Sequence, residues 1–334
     1  MAFRFKLGEP FEEGVRRIAV EQIERAQSEL QAKDDHAVAV HETRKALKRL
    51  RALMRLVRPA MGDDAFKHEN ARLRDIGLSL SGARDRHVLL ETVNKLEGAA
   101  GLGRKGLVSG LRACIAAANG EGAPVTMKEA QGRLDEAKIR LAEVRIEGGG
   151  FDVVGAGLER SYGKACRTFR KAYNQPTDDA FHEWRKGAQA HWRQMTLLAR
   201  AWPEYLSARA SEARTLSQLL GDDHDLAMLV AFVHSDAATT ISGEHAALVE
   251  KAARQRQAEL RECAKPRGER LFAEAPKRLR RSIGVYWQAA TALKEHELEE
   301  AGAETTAKHV RRQSAPRRRL TVATKGAAKA PAKA

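Results

Sequence analysis

His41, Arg44, Lys48, Arg51 and Arg55 follow one another at steps of three and four residues, and no acidic residue occurs between Thr43 and Gly62. On a helix that spacing gathers all five within an arc of roughly 80°. Val40, Leu47, Leu50, Leu53, Met54 and Val57 take the opposite wall, so one side is core and the other a cationic stripe. Arginine offers a planar fork for phosphate-type oxygens, and lysine a compact charge. Histidine donates a hydrogen bond and gains charge when a nearby anion raises its pKa. A merely solvated helix face would alternate Glu with Lys, because like charges at i,i+4 cost roughly 0.2–0.5 kcal/mol per pair. A stripe of one sign points instead to a bound polyanion that supplies the missing charge.

The pattern returns twice. Arg160, Lys164, Arg167 and Lys171 form a narrow stripe, with no acid from Arg160 to Gln175. His182, Arg185, Lys186 and Arg193 share another helix side. There Gln189 and Trp192 occupy the slots of Lys48 and Arg51, and His191 faces the apolar side as a structural residue. The segment His41-Glu-Thr-Arg-Lys45 matches His182-Glu-Trp-Arg-Lys186, and Leu80-Ser-Gly-Ala-Arg-Asp85 matches Leu220-Gly-Asp-Asp-His-Asp225, at offsets of 141 and 140 residues. Two motifs at nearly one offset identify an internal duplication. Within it Arg74 pairs with Arg214, Arg84 with His224, and Asp85 with Asp225. The two aspartates read as caps of the following helices.

The elements that must position these residues are all helical. Helical periodicity covers about 11–31, 35–58, 63–81, 84–97, 104–119, 127–146, 152–173, 178–201, 204–220, 224–236, 243–265 and 276–297. Pro59 and Gly62 close the second helix, Thr126-x-x-Glu129 is a capping box, and Thr177 and Asp178 after Pro176 are N-cap types. Aromatics are only 5% of the 334 residues, so the core is built from Ala, Leu and Val, which favours helices over a β sandwich. The expected fold is all-α: two pseudo-symmetric four-helix bundles, 1–147 and 148–303, joined at Gly148–Gly150 and facing a central basic groove or pore. From 304 to 334 the chain reads as a disordered tail. Thr305–Ala334 holds nine Lys/Arg and no acid, out of a net charge of +15.

Other classes fall away. The longest apolar run, Leu226–Val233, is far short of the ~20 residues that span a bilayer. The first eight residues alternate basic and apolar types without a signal-peptide stretch. Cys114, Cys166 and Cys263 are widely spaced and odd in number, which fits a reducing cytoplasm and neither a disulfide framework nor a cysteine zinc site.

These residues bring a resemblance with them. The repeated His-x-x-Arg-Lys helix, His191-Trp192, Trp202-Pro203 and Leu219-Leu-Gly-Asp-Asp-His-Asp-Leu226 resemble the CHAD family, the conserved histidine α-helical domain. Arg270-Leu-Phe-Ala-Glu and Tyr286-Trp287 are similar to its closing segment, so the likeness spans roughly residues 10–290. The resemblance implies paired four-helix bundles whose shared basic surface binds inorganic polyphosphate, with association to polyphosphate granules in some members. It implies binding roles for His41, Arg44, Lys45, Lys48, Arg51, Arg55, Arg74 and Arg84 in the first half. In the second half it implies them for Arg160, Lys164, Arg167, His182, Arg185, Lys186, Arg193, Arg214 and His224. No Glu-x-Glu-x-Lys signature of the triphosphate-handling CYTH domain is present.

Two other readings stand beside this one. The basic tail could bind nucleic acid non-specifically, although no zinc-finger spacing or aromatic RNA-recognition motif occurs. His224-Asp225, with His182 and Asp222 or Asp223, could form half of a metal-dependent phosphohydrolase site. Such chemistry needs carboxylates to hold metal ions, and the first repeat has Arg84-Asp85 in the matching place. The expectation is a binding module rather than an enzyme, with no cofactor and no metal.

Overall fold

The computed structural model describes residues 3–31, 36–80, 82–97, 106–118 and 127–313. The all-helical expectation holds. Among the described residues every regular element is helical and none is a strand. The first half contains α1 (Phe11–Gln31), α2 (His36–Leu56), the short α3 (Arg58–Met61), α4 (Asp63–Ser79), α5 (Gly82–Leu96), α6 (Leu107–Ala117) and α7 (Met127–Ala142). The second half contains α8 (Asp152–Asn174), α9 (Asp178–Leu197), α10 (Pro203–Val233), α11 (Gly243–Leu271) and α12 (Pro276–Gln313). Residues through Thr291 form one compact unit, and a second unit begins at Ala292, within which α12 continues to Gln313.

The apolar walls read from the sequence decide the packing. α1 lies against α2 and α7, and α4 closes on the same two helices. α9 packs between α8 and α10, and α10 along α11. α2 also meets α8 and α9, so the duplicated helices α2 and α9 touch. One large apolar cluster joins both halves, from Leu50, Leu53 and Leu73 to Leu158, Trp184 and Leu216. A second is built from Val93 and Leu96 of α5, Leu111 and Ile115 of α6, Leu229 and Val233 of α10, and Val249 and Leu260 of α11. The alternating N-terminal segment also packs: Phe5 is buried, and its N–H donates to the Leu197 carbonyl at 3.0 Å.

Three glycines are obligatory. Gly148 (φ +99°) and Gly150 (φ +58°) turn the chain between α7 and α8 in the left-handed region that other residues avoid. At Gly157 a Cβ would overlap the Leu56 carbonyl, so α8 can cross the end of α2 only with no side chain there. At α9, Thr177 is the N-cap, accepting the Ala180 N–H at 3.2 Å. The Thr126 capping box lies outside the described residues.

Three boundaries differ from the sequence reading. The expected helices 204–220 and 224–236 are one continuous helix, α10, so Leu-Gly-Asp-Asp-His-Asp is mid-helix and Asp225 caps nothing. Gly221 lies inside the unbroken helix with Arg185 beside it, and a Cβ there would make only an ordinary 3.8 Å contact with the guanidinium. Helix α11 runs through Pro266 to Leu271 rather than stopping at 265. Helix α12 continues past 297 and through 304–313, into the stretch read as tail, while 314–334 lie outside the described residues.

Candidate anion-binding site

Packing α2 against α9 brings arginines of both repeats together. Arg193 of α9 is 8% exposed. Burial, with Arg49, Arg55 and Arg185 around it, pushes its guanidinium down to about 9. Burial likewise lowers Arg51 to about 10, with Arg55 and Arg74 adding repulsion that Asp75 opposes. Arg55 and Arg185 are lowered by burial too, against Glu183 for the first and Asp225, Asp222 and Asp223 for the second. Among the described residues no carboxylate comes within 4.0 Å of Arg51, Arg55, Arg185 or Arg193. Arg51 Nε donates to Asn70 Oδ1 at 3.0 Å and Arg193 Nη1 to the Gln189 carbonyl at 3.1 Å, both neutral acceptors.

Trp192 explains how the second repeat departs from the first. The guanidinium of Arg193 lies 4.6 Å over its ring and that of Arg214, from α10, 5.5 Å. In the slot of Arg51, the indole serves as a shelf holding two cations by cation–π attraction. Arg49 is the cation the sequence reading missed, because it falls outside the arc of the stripe. Its signal lay in the duplication: Arg49 and Ala52 of α2 correspond to Ala190 and Arg193 of α9. Each copy has one arginine and one alanine, in opposite order. Both alanines are buried.

His182 and His224 meet beside this group, their ring centroids 4.0 Å apart and their planes 31° from parallel. Burial lowers His224 to about 4, helped by His182, Arg185 and Lys186 and opposed by Asp178. Burial also lowers His182, with Lys186 and Arg185 adding to it. His182 Nδ1 and Arg185 Nε are buried without a hydrogen-bond partner. Cations crowd in while polar atoms lack acceptors, which is the arrangement an anion completes.

The histidine pair has a consequence for stability. Unfolded histidine titrates near 6.5, well above His224 in the fold, so the unfolded chain binds more protons between those values. Stability is therefore full above about pH 6.5 and is lost as pH falls toward 4. With solvent screening allowed for, the expected loss from His224 is roughly 1 kcal/mol, or about 2–4 °C in Tm. Thermal melts at pH 7.5 and 5 should show a shallower decline for His224→Gln by that amount. An unchanged decline would mean that His224 titrates normally.

Other residues singled out from the sequence are partly or wholly neutralised. Lys45 pairs with Glu42 at 2.6 Å, and Arg74 with Asp75 at 3.0 Å. Glu183 serves Lys186 at 2.5 Å and Lys164 at 3.2 Å. Arg160 reaches across to Asp63 at 3.2 Å. Arg58 first, then Arg160, holds that carboxyl down to about 2. His41, Arg44 and Lys48 are half-buried on α2, with His41 Nε2 4.0 Å from Glu42. Arg167 and Arg214 are exposed. The Arg84 side chain lies outside the described residues.

A latch from α11 positions the histidines. Arg261 Nε donates to Asp223 Oδ1 at 2.7 Å and its Nη2 to Asp178 Oδ1 at 2.6 Å. Arg254 holds the other Asp178 oxygen at 2.7 Å, and Gln257 Nε2 donates to the Asp223 carbonyl at 3.0 Å. Arg261 also lies 4.1 Å over Phe181. Asp178 sits one turn before His182, and Asp223 adjoins His224, so one arginine ties both segments. Burial raises Asp223 even against Arg261, which marks the carboxylate as costly to leave alone. Local sequence could not show this pairing across α9, α10 and α11.

The chain is all-helical among the described residues, repeats a His-x-x-Arg-Lys helix, and clusters Arg49, Arg55, Arg185 and Arg193 where the two copies meet. The family model for the CHAD domain matches residues 17–234, and the chain belongs to that family. A comparison with curated protein sequences gave no match. Among the described residues no helix is long and apolar enough to cross a membrane.

Proposed function

We propose that this chain is a binding module for inorganic polyphosphate, not an enzyme. In this reading the two repeats act as pseudo-symmetric bundles that present their cationic stripes to one shared groove. The observation that carries it is the burial of Arg193 and partial burial of Arg55 and Arg185, with no carboxylate within 4.0 Å of any of them among the described residues. Self-repulsion of this kind weakens the free fold and is relieved only by a ligand with many negative charges close together. Phosphate oxygens would accept from the guanidinium forks and from Arg185 Nε and His182 Nδ1, which lack partners. Trp192, the aromatic residue of the stripes, already holds two guanidiniums over its ring, which disfavours stacking of a nucleic-acid base there. That favours an inorganic chain over a nucleic acid at this site. The same reading places the protein on polyphosphate granules.

Affinity should then fall with salt, log K against log[salt] having a slope of roughly −0.7 per phosphate contact by analogy with single strands, and long chains should outbind short ones. Arg55→Glu/Arg185→Glu is expected to lower polyphosphate affinity at least about tenfold, as one lost charge-assisted contact implies, and to flatten the salt slope. Titration calorimetry at several salt concentrations measures both. A folded double variant with wild-type affinity and slope would refute the assignment.

A further inference from the structure

Away from the α2–α9 site, the face of α12 has a different character. Lys277, Arg278, Arg281, Ser282, Val285 and Tyr286 line a cleft of about 510 Å³. Their spacing sets them along one side of the helix over about 13 Å. The three cations are exposed, and among the described residues no carboxylate pairs with any of them. Their neighbour Arg280 is the contrast: it turns inward to Asp152 at 2.8 Å and Glu159 at 3.2 Å. Lys277 and Arg278 also sit in the first turn, which contains no acid and where the helix dipole disfavours positive charge. Arrangement for folding alone would have put an acid there.

The cleft ends on aromatic rings. Tyr286 meets Trp202 edge-on at 5.0 Å, and Tyr205 lies 5.5 Å from Trp202 and 5.9 Å from Tyr286. Trp202 is 46% exposed although its neighbours fix its orientation. A fixed, half-open indole next to unpaired cations provides a stacking platform beside phosphate contacts. Val285 is the one aliphatic side chain in the lining, too little apolar area for a lipid surface.

We propose that this face is a second binding site, for single-stranded nucleic acid. Lys277, Arg278 and Arg281 hold phosphates, and a base stacks on Trp202. The proposal is independent of polyphosphate binding between α2 and α9, because its recognition element is a base.

The test uses the full chain in every arm, so the basic residues of 314–334 contribute equally throughout. A labelled oligo(dT) strand is titrated by fluorescence anisotropy, with an abasic strand of equal length and inorganic polyphosphate as parallel ligands. Trp202→Ala is expected to weaken oligo(dT) binding by about tenfold, the effect of one stacked base, and to leave the abasic strand and polyphosphate unchanged. Lys277→Glu/Arg281→Glu is expected to weaken both strands and to reduce their salt slopes by about 1.4, with a far smaller change for polyphosphate, which is held chiefly between α2 and α9. Unaltered circular-dichroism melts verify that these exposed changes leave the fold intact. Oligo(dT) affinity in Trp202→Ala equal to wild type would overturn the proposal. So would variants that bind oligo(dT) normally but lose binding to vesicles of anionic phospholipid, which would make the face a membrane contact.

Discussion

Replacing Arg193 with Met should raise the melting temperature and at the same time weaken polyphosphate binding by about ten- to a hundredfold. Both effects come from one circumstance. Arg193 is almost wholly buried, donates to the neutral Gln189 carbonyl, lies over the Trp192 ring, and is pushed down to about 9. The folded chain thus holds this proton less tightly than the unfolded one, whose arginine titrates far higher. The penalty is fully present below about pH 9 and is relieved as pH climbs toward the unfolded value. Methionine keeps the length and apolar character of the stem and removes the charge. Against that gain stand the lost cation–π contact and one hydrogen bond, about 1 kcal/mol each. A net gain of about 1–2 kcal/mol would shift Tm upward by about 2–8 °C. The binding loss follows from one charge-assisted contact of about 1.5–3 kcal/mol. Differential scanning fluorimetry and calorimetric titration read the two effects on one sample. A less stable variant with undiminished affinity would make Arg193 a structural residue and remove it from the site.

Arg261→Met should have the opposite sign. It leaves the Asp223 carboxylate, whose side chain is 3% exposed, without its cation. Breaking one partner out of a buried pair costs about 3–5 kcal/mol, whereas replacing both by apolar groups is often neutral. Arg261→Met is therefore expected to lose about 3 kcal/mol or more in urea unfolding, and Arg261→Met/Asp223→Leu to regain most of it. Asp178 keeps Arg254 at 2.7 Å, so the effect belongs chiefly to Asp223. Because Arg261 also joins the segments carrying His182 and His224, the single variant should weaken polyphosphate binding beyond what its lower stability explains. The double variant, stable but without the latch, separates the two contributions. A double variant as unstable as the single would show that packing, not the ion pair, determines the loss.

The helices themselves were legible because their apolar residues keep a 3.6-residue period, and the duplication was legible because two motifs share one offset. The continuity of α10 was not. Gly221 and the aspartates after it look like a break by local propensity, yet the helix runs on through them and Asp223 is paired with Arg261 of α11. Tertiary contacts outweighed the local signal, as they also did at Pro266. In the stripes, spacing identified the cations but not their partners. Arg160 reads as open charge until the fold brings Asp63 to it, and Lys164 until it brings Glu183. Arg193 appeared as one basic residue among several, and its burial against the other repeat emerged only from the packing of α9 on α2.

The uninterrupted α10 belongs to both apolar clusters, through Leu206–Leu220 in the larger and Leu226–Val233 in the smaller. The span between them holds Asp223 and His224. A chain with two hydrophobic centres could melt in two stages, but here a single rod is shared by both. Its amides near His224 should be among the slowest to exchange with deuterated solvent, and the main unit should come apart in one concerted transition.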